Sequence, residues 1–173
     1  MIINFHILDG IKIGGIENLA LTLSSENIPY EQNFLINLNE NINDYSNYIS
    51  RKNKYKNLRI ISLKRKKGLL LIPLLIKLFT KNKPNNVIIY FNNITSLWVA
   101  LGAKISGIDN LAICVQNLVK KLSNKNLKLF LLMRIFNLLN VKLVPCSLAI
   151  RNSFLSFNKK IKFAEVIPNC INV

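Results

Sequence analysis

Short apolar runs alternate with segments of helical periodicity along most of this 173-residue chain. Runs of four to eight apolar residues are typical of strands buried on both faces of a parallel sheet, whereas apolar positions every three or four residues indicate helices. The apolar runs predict strands at 2–8, 33–38, 59–63, 86–91, 111–115, 141–145 and 163–167. The segments between them predict helices at 16–27, 68–81, 95–106, 126–140 and 147–157. The polar segment 39–57 has no steady period and is expected to be a loop with some helix.

This alternation of strand and helix predicts the fold class. Parallel neighbouring strands need a long crossover connection, which is usually a helix. We therefore expect an α/β protein with a doubly wound, mostly parallel Rossmann-like sheet. The helix at 126–140 is strongly apolar, and we expect its inner face to consist of Leu127, Phe130, Leu131, Ile135, Leu138 and Leu139.

In such a sheet the ligand lies beyond the carboxyl ends of the strands, so the first loop is a candidate site. Gly14 and Gly15 can bring bare backbone N–H groups to an anion at the start of a helix. Glu17 follows in the first turn, where a carboxylate also complements the helix dipole. The loop is neither a GxGxxG fingerprint nor a Walker A loop, and an ordinary tight turn is the alternative.

Two amide pairs follow later strands. Asn92 and Asn93 come after the fourth strand, and Gln116 and Asn117 come after the fifth. Amide side chains both donate and accept hydrogen bonds, as recognition of sugar hydroxyls requires. Because Asn is abundant in this chain, ordinary polar surface is the alternative for each pair.

The charge balance is strongly basic, with 24 Lys and Arg against 8 Asp and Glu, a net charge of +16. Such a chain could bind nucleic acid or an anionic membrane, but no nucleic-acid module is recognisable. The cluster Lys64, Arg65, Lys66 and Lys67 adjoins an apolar segment, which favours contact with an anionic membrane surface. A solvated loop is the alternative. No segment has the pattern of a membrane-spanning helix.

The single His and three widely spaced Cys exclude a His-rich metal site and a zinc ribbon. We expect no metal and no cofactor. An odd number of Cys also argues against a disulfide framework and favours a reducing compartment, the cytoplasm. His6 and Cys114 fall inside strands, where packed core residues are the default interpretation.

Five stretches, in order, resemble the family-4 glycosyltransferases, whose GT-B fold consists of two facing Rossmann-like domains. The family's Gly-Gly-x-Glu start resembles GGIENLALTL at 14–23, and its Lys-Pro-Asp strand resembles KNKPNNVIIYFNN at 81–93. A helix, turn and strand of the family resemble LWVALGAKISGIDNLAICVQN at 97–117. A strand ending in Ser resembles VKLVPCSLAIRNSF at 141–154. The Val-Ile-Pro-Asn-Gly-Val-Asp signature near the domain junction resembles FAEVIPNCINV at 163–173.

The resemblance implies retaining transfer of a sugar from a nucleotide-sugar to a glycan or lipid-linked acceptor in cell-envelope synthesis. It makes residues 1–173 the acceptor-side N-terminal domain, whose Gly14 and Gly15 approach the donor diphosphate. The donor-binding C-terminal domain is absent from this sequence, so we expect no transfer by the chain alone. Such a protein would lie in the cytoplasm, against the inner face of the membrane.

The chain also departs from the family pattern. Many members have His where this chain has Gln116, and Gln cannot carry a proton. In the junction formed by Pro168, Asn169 and Cys170, Cys170 takes the place of the usual Gly. One alternative function is therefore a non-catalytic glycan- or lipid-binding protein, or one half of a split transferase completed by a partner chain. A dinucleotide-dependent enzyme is disfavoured because its fingerprint glycines are missing.

Overall fold

A computed structural model describes residues 1–10, 15–26, 28–38, 59–63, 68–119 and 124–168. The expected loop at 39–57 and the basic cluster at 64–67 lie outside these ranges. The strands are β1 (Ile2–Leu8), β2 (Glu31–Asn37), β3 (Arg59–Ser62), β4 (Asn86–Ile89), β5 (Asn110–Val115) and β6 (Lys142–Pro145). The helices are α1 (Gly15–Ser25), α2 (Leu71–Asn82), α3 (Ile94–Ile105), α4 (Asn124–Leu138) and α5 (Leu148–Leu155).

The six described strands form one sheet in the order β3-β2-β1-β4-β5-β6, and every neighbouring pair is parallel. The chain first winds from β1 towards β3 and then returns to the other side of β1. This is the strand order of the doubly wound Rossmann fold, which confirms the predicted fold class. Strand order reverses between β1 and β4, and doubly wound proteins commonly bind their ligands at the carboxyl edge beside such a reversal.

Both faces of the sheet are apolar, but the two layers differ in size. On one face α1 packs on β1 and β2 around a small cluster of Leu8, Ala20, Leu21, Leu35 and Tyr90. The larger cluster includes the buried face of α2, where Leu71, Leu75 and Phe79 follow one another at intervals of four residues. That spacing places all three side chains on one side of the helix. Helices α2 and α3 pack closely together, with Gly102 of α3 against Leu75.

The strand predicted at 163–167 is wrong. The segment lies beside β6, where the Ala164 N–H donates to the Leu143 carbonyl (2.8 Å) and the Ile167 N–H to the Pro145 carbonyl (3.1 Å). The two donors are three residues apart and their acceptors are two residues apart, so the regular spacing of a parallel ladder is broken. No strand forms among residues 161–168. An apolar alternation alone could not distinguish this extended cover of the sheet edge from a further strand.

The inner face predicted for α4 is partly wrong. The helix buries Phe130, Leu132, Met133 and Phe136. Leu127, Leu131 and Leu138 are instead exposed, with 60%, 61% and 82% of their surfaces accessible. Apolar residues lie on every side of this helix, so periodicity could not select a face. Packing of the two Phe rings and Met133 towards the rest of the domain decided it.

Candidate functional site

The amide cluster, defined as Asn92, Asn93, Gln116 and Asn117, lies where β4 and β5 end. The Asn117 Nδ2 donates to Asn92 Oδ1 at 3.0 Å, which joins the two loops. The Asn93 Nδ2 donates to a carboxylate oxygen of Asp9, just after β1, at 3.1 Å. The structure therefore joins the two predicted pairs through Asn92 and Asn117, and it links Asn93 to the loop after β1.

Asn93 has a structural role within this cluster. It is the N-cap of α3, and its Oδ1 accepts the Thr95 N–H at 2.8 Å. Asn and Asp are favoured at this position because they satisfy free N–H groups of the first helical turn. Since its Nδ2 is bound to Asp9, both ends of the Asn93 amide have protein partners. It fixes the loops, while its neighbours are freer to bind a ligand.

Asn92 and Gln116 each keep an unused donor. The Asn92 Nδ2 and the Gln116 Nε2 are buried and have no hydrogen-bond partner among the described residues. A buried polar group without a partner costs about 1–3 kcal/mol, so native proteins retain few of them. The two donors are therefore well suited to a bound molecule that supplies acceptor oxygens.

Two further buried polar atoms have no hydrogen-bond partner among the described residues. They are the Ser62 Oγ, at the last residue of β3, and the Arg151 Nε, in the helix that follows β6. Of the four such atoms in the described part of the chain, those of Ser62, Asn92 and Gln116 lie at the end of a strand or within three residues of it, whereas Arg151 lies inside α5. The sequence reasoning missed Ser62 and Arg151; the place of Ser62 at the end of a strand was the available signal.

A cleft of about 800 Å³ opens beside the amide cluster. It lies between the start of α3, the segment after β5 and one side of α4, and most of its wall is aliphatic. Its lining consists of Asn92, Asn93, Ile94, Leu97, Asn117, Leu118, Lys128, Leu129, Leu131, Leu132 and Ile135. A ligand with polar and apolar parts matches such a cleft, because the amides lie at one end of a hydrocarbon wall. The contribution of α4 was not predicted.

The other predicted site residues are separate from this cleft. Gly15 begins α1 and Glu17 lies in its first turn, on the helix that packs against β1 and β2. No atom of the described residues lies within 4 Å of the position that a side chain at Gly15 would occupy. Pro168 is exposed, next to the residue that bonds the end of β6. Gly14, the cluster Lys64–Lys67, Asn169 and Cys170 lie outside the described residues.

His6 and its neighbours form a buried polar group below α1. The His6 Nδ1 and the Tyr90 hydroxyl are 2.8 Å apart, and the two rings are stacked. Burial lowers the pKa of His6 to about 4, partly opposed by the Asn33 side chain. Burial likewise raises the pKa of Tyr90 well above its ordinary value, with a smaller contribution from Cys114. His6 is thus a neutral core residue, as predicted, and is not suited to proton transfer at neutral pH.

The thiols of Cys114 and Cys146 are also unreactive, because burial raises their pKa values. Burial, reinforced by Cys146, raises the pKa of Cys114 to about 12. Burial raises the pKa of Cys146 as well, and both side chains are free thiols. Because the thiolate is the nucleophile, neither residue is activated at neutral pH.

A cluster of metal ligands and a membrane-spanning helix are both absent from the described ranges. Within them, no group of three or more His, Cys, Asp or Glu side chains is placed to hold a metal ion. None of the described helices combines the length and apolar character needed to cross a membrane.

No protein-family model and no curated protein matches the sequence. Solved structures do match in fold. One is a UDP-N-acetylglucosamine 2-epimerase, with a TM-score of 0.64 and 14% identity over 92% of this chain and 46% of that protein. Another is the S. aureus protein MnaA in a structure with UDP, with a TM-score of 0.62 and 13% identity over 92% of this chain and 42% of that one. This chain spans less than half of either protein, and its fold is that of one Rossmann-like half of a GT-B architecture.

Proposed function

We propose that this chain is the acceptor-side half of a retaining glycosyltransferase that moves a sugar from a nucleotide-sugar to a glycan or lipid-linked acceptor. The observation that supports this proposal most directly is that Asn92, whose buried donor has no partner among the described residues, lines an aliphatic cleft. Sugar hydroxyls would accept from Asn92 and from Gln116, the residue before Asn117, whose buried donors have no partner within the described ranges. The apolar portion of the acceptor would lie along the cleft wall formed by α4.

The residues that line the cleft are suited to binding the acceptor and not to proton transfer. Of the described residues that line it, Lys128 alone is ionisable. The neutral amides can orient a hydroxyl but cannot remove its proton. We therefore assign positioning of the acceptor to this chain, and its aliphatic wall would exclude water from the acceptor's apolar portion.

The donor side of the proposal rests on the first loop and on the fold. Gly14 and Gly15 would present backbone N–H groups to the donor diphosphate at the start of α1, where Gly15 is exposed. One solved protein with this fold is a UDP-N-acetylglucosamine 2-epimerase, and another was solved with UDP. A second Rossmann-like unit, in the same chain or a partner chain, would hold most of the nucleotide.

A second candidate is an enzyme that changes the sugar while it stays on the nucleotide, as an epimerase does. The similarity in fold to a UDP-N-acetylglucosamine 2-epimerase favours it. Such an enzyme needs no acceptor, and so the aliphatic cleft beside the amides would have no role. That difference makes the two candidates separable by ligand binding.

The decisive experiment titrates the full chain with octyl glucoside below its micelle concentration, with glucose, and with a panel of UDP-, GDP- and dTDP-sugars. We expect octyl glucoside to bind more tightly than glucose, since its alkyl chain reaches the cleft. Asn92→Leu should weaken octyl glucoside binding about tenfold, because it removes a hydrogen-bond donor. The matched control is Asn152→Ala, an exposed amide in α5, which should change nothing.

Two results of the same titrations would contradict the proposal. If alkyl glycosides do not bind while UDP-N-acetylglucosamine does, the transferase proposal is wrong and the epimerase-like candidate gains. If octyl glucoside binds equally to wild type and Asn92→Leu, the amide cluster is not the sugar site. Transfer itself is assayed with the nucleotide-sugar that binds, octyl glucoside as acceptor, and the chain joined to its downstream reading frame.

A further inference from the structure

Helix α4 is apolar on more sides than its packing in the domain requires. One side buries Phe130, Met133 and Phe136 against the rest of the domain. The opposite side presents what we call the outer stripe, Leu127, Leu131, Arg134 and Leu138, which are all exposed. Intervals of four, three and four residues place these side chains in one line along the helix. A helix that is apolar on both sides normally has cover on both sides.

The charges on α4 indicate what covers the outer stripe. The helix sequence contains Lys125, Lys128 and Arg134 and no Asp or Glu. Lys128 is exposed one residue from Leu127, and Arg134 lies within the stripe itself. Exposed leucines with basic residues among them match an anionic lipid surface, where acyl chains meet the leucines and phosphates meet the cations.

The same charges disfavour a second copy of the chain as the cover. Two identical outer stripes facing each other would bring Arg134 and Lys128 towards the same cations of the other copy. The whole chain carries a net charge of +16, which adds to that repulsion. An anionic surface instead turns these charges into attraction.

We propose that the outer stripe of α4 lies on an anionic lipid bilayer, with the helix parallel to the membrane plane. At 15 residues α4 is too short to cross a bilayer, which takes about 20. The stripe is continuous with the cleft, because Leu131 belongs to both and Lys128 lines the cleft. A lipid could therefore extend from the membrane into the cleft without crossing water. The bilayer contact rests on the α4 surface and not on the proposed transfer reaction.

The test is flotation of the full chain with vesicles. We compare phosphatidylcholine vesicles with vesicles that also contain phosphatidylglycerol, at low and high salt. Wild type should bind the anionic vesicles, and salt should weaken that binding. The double variant Leu127→Glu/Leu138→Glu should bind at least about tenfold more weakly, since it replaces two membrane-facing leucines with anions.

A matched control carries the same substitutions on other surfaces. Ile105 in α3 and Leu148 in α5 are 64% and 62% exposed, much like the leucines of the stripe. The variant Ile105→Glu/Leu148→Glu has the same charge as the α4 variant and should bind vesicles within about twofold of wild type. If the double variant has a reduced helical circular dichroism signal, Leu138→Glu alone replaces it in the flotation test. Leu138 is the most exposed of the three leucines in the stripe.

Several outcomes would overturn the proposal. The proposal is wrong if wild type does not float with anionic vesicles, or if both double variants lose binding equally. A wild-type dimer in sedimentation without lipid, converted to a monomer by the α4 variant, would make the stripe an interface between copies. Loss of vesicle binding in a variant with Ser at 64–67, together with normal binding of the α4 variant, would assign the membrane contact to the basic cluster.

Discussion

Asparagine clusters occur at both edges of the same sheet, and they differ in how completely their hydrogen bonds are satisfied. Near the amino edge, Asn4 lies between Asn33 and Asn86 in an amide ladder across β2, β1 and β4. The Asn4 Nδ2 donates to Asn33 Oδ1 and to a Glu31 carboxylate oxygen, both at 2.9 Å, and Asn86 Nδ2 donates to Asn4 Oδ1 at 2.8 Å. The fourth bond runs from Asn33 Nδ2 to the Glu26 carbonyl at 3.2 Å.

The amide cluster at the carboxyl edge is only partly satisfied. Both the amide nitrogen and the amide oxygen of Asn93 have partners, but Asn92 and Gln116 retain buried donors without a described partner. The same residue type is therefore a link between strands at one edge and a candidate binding group at the other. Composition cannot distinguish these roles, whereas the number of unused donors can.

Acidification should produce the largest change in the free energy of unfolding, through the buried His6. Burial lowers the pKa of His6 from 6.5 to about 4 in the folded protein. As pH falls from 6.5 to 4, the unfolded chain takes up a proton that the folded chain does not. The free energy of unfolding should therefore drop by roughly 3 kcal/mol across that window through His6 alone. Urea unfolding at a series of pH values measures it.

The control for this prediction is His6→Gln, which removes the titrating ring. The difference in unfolding free energy between wild type and this variant should shrink as pH falls from 6.5 to 4. Carboxylates titrate in both proteins and cancel from the difference. Parallel pH profiles for the two proteins would show that His6 is not the group responsible.

Breaking the amide ladder should have the next largest effect. Asn4→Ala removes three side-chain hydrogen bonds and leaves partners on Asn33 and Asn86 unpaired, so we expect a loss of about 2 kcal/mol in unfolding free energy. Asn110→Ala, at the exposed first residue of β5, is the control and should change little. If urea unfolding shows the same loss of unfolding free energy for both substitutions, the hydrogen-bonded Asn4 is no more important for stability than an exposed asparagine, and the prediction is wrong.

The smallest change in stability should come from the carboxyl edge. Asn92→Leu removes a buried donor that has no described partner and loses one bond to Asn117, so the unfolding free energy should change by less than about 1 kcal/mol. Ligand binding should nevertheless fall, as described above for octyl glucoside. A loss of stability as large as that of Asn4→Ala would indicate that Asn92 is structural and contradict the comparison between the two edges.

Much of the fold followed from the pattern of apolar residues. The runs at 2–8, 86–91 and 111–115 correspond closely to β1, β4 and β5, because strands buried on both faces must be apolar throughout. The incorrect predictions concern segments whose apolar residues are only partly buried in the structure. The segment at 163–167 covers a sheet edge without forming a strand, and α4 exposes three leucines that the prediction had buried.

The candidate site was only partly predictable. The rule that ligands lie beyond the carboxyl ends of parallel strands selected Asn92, Asn93, Gln116 and Asn117. It could not show that Asn93 is consumed as the cap of α3, since that depends on the Thr95 N–H and on Asp9 from another loop. The wall of the cleft was missed because α4 reaches the amides only through packing between distant parts of the chain.

The sequence by itself determined the alternation of strand and helix and hence the doubly wound sheet, because hydrophobic periodicity and the handedness of crossovers act along the chain. It also determined the net charge of +16 and the unusually apolar character of α4. Tertiary structure alone decided which side of α4 is buried and which asparagines keep an unused donor. Those features depend on contacts between residues far apart in the chain, and hydrogen-bond satisfaction can be counted only after those contacts exist.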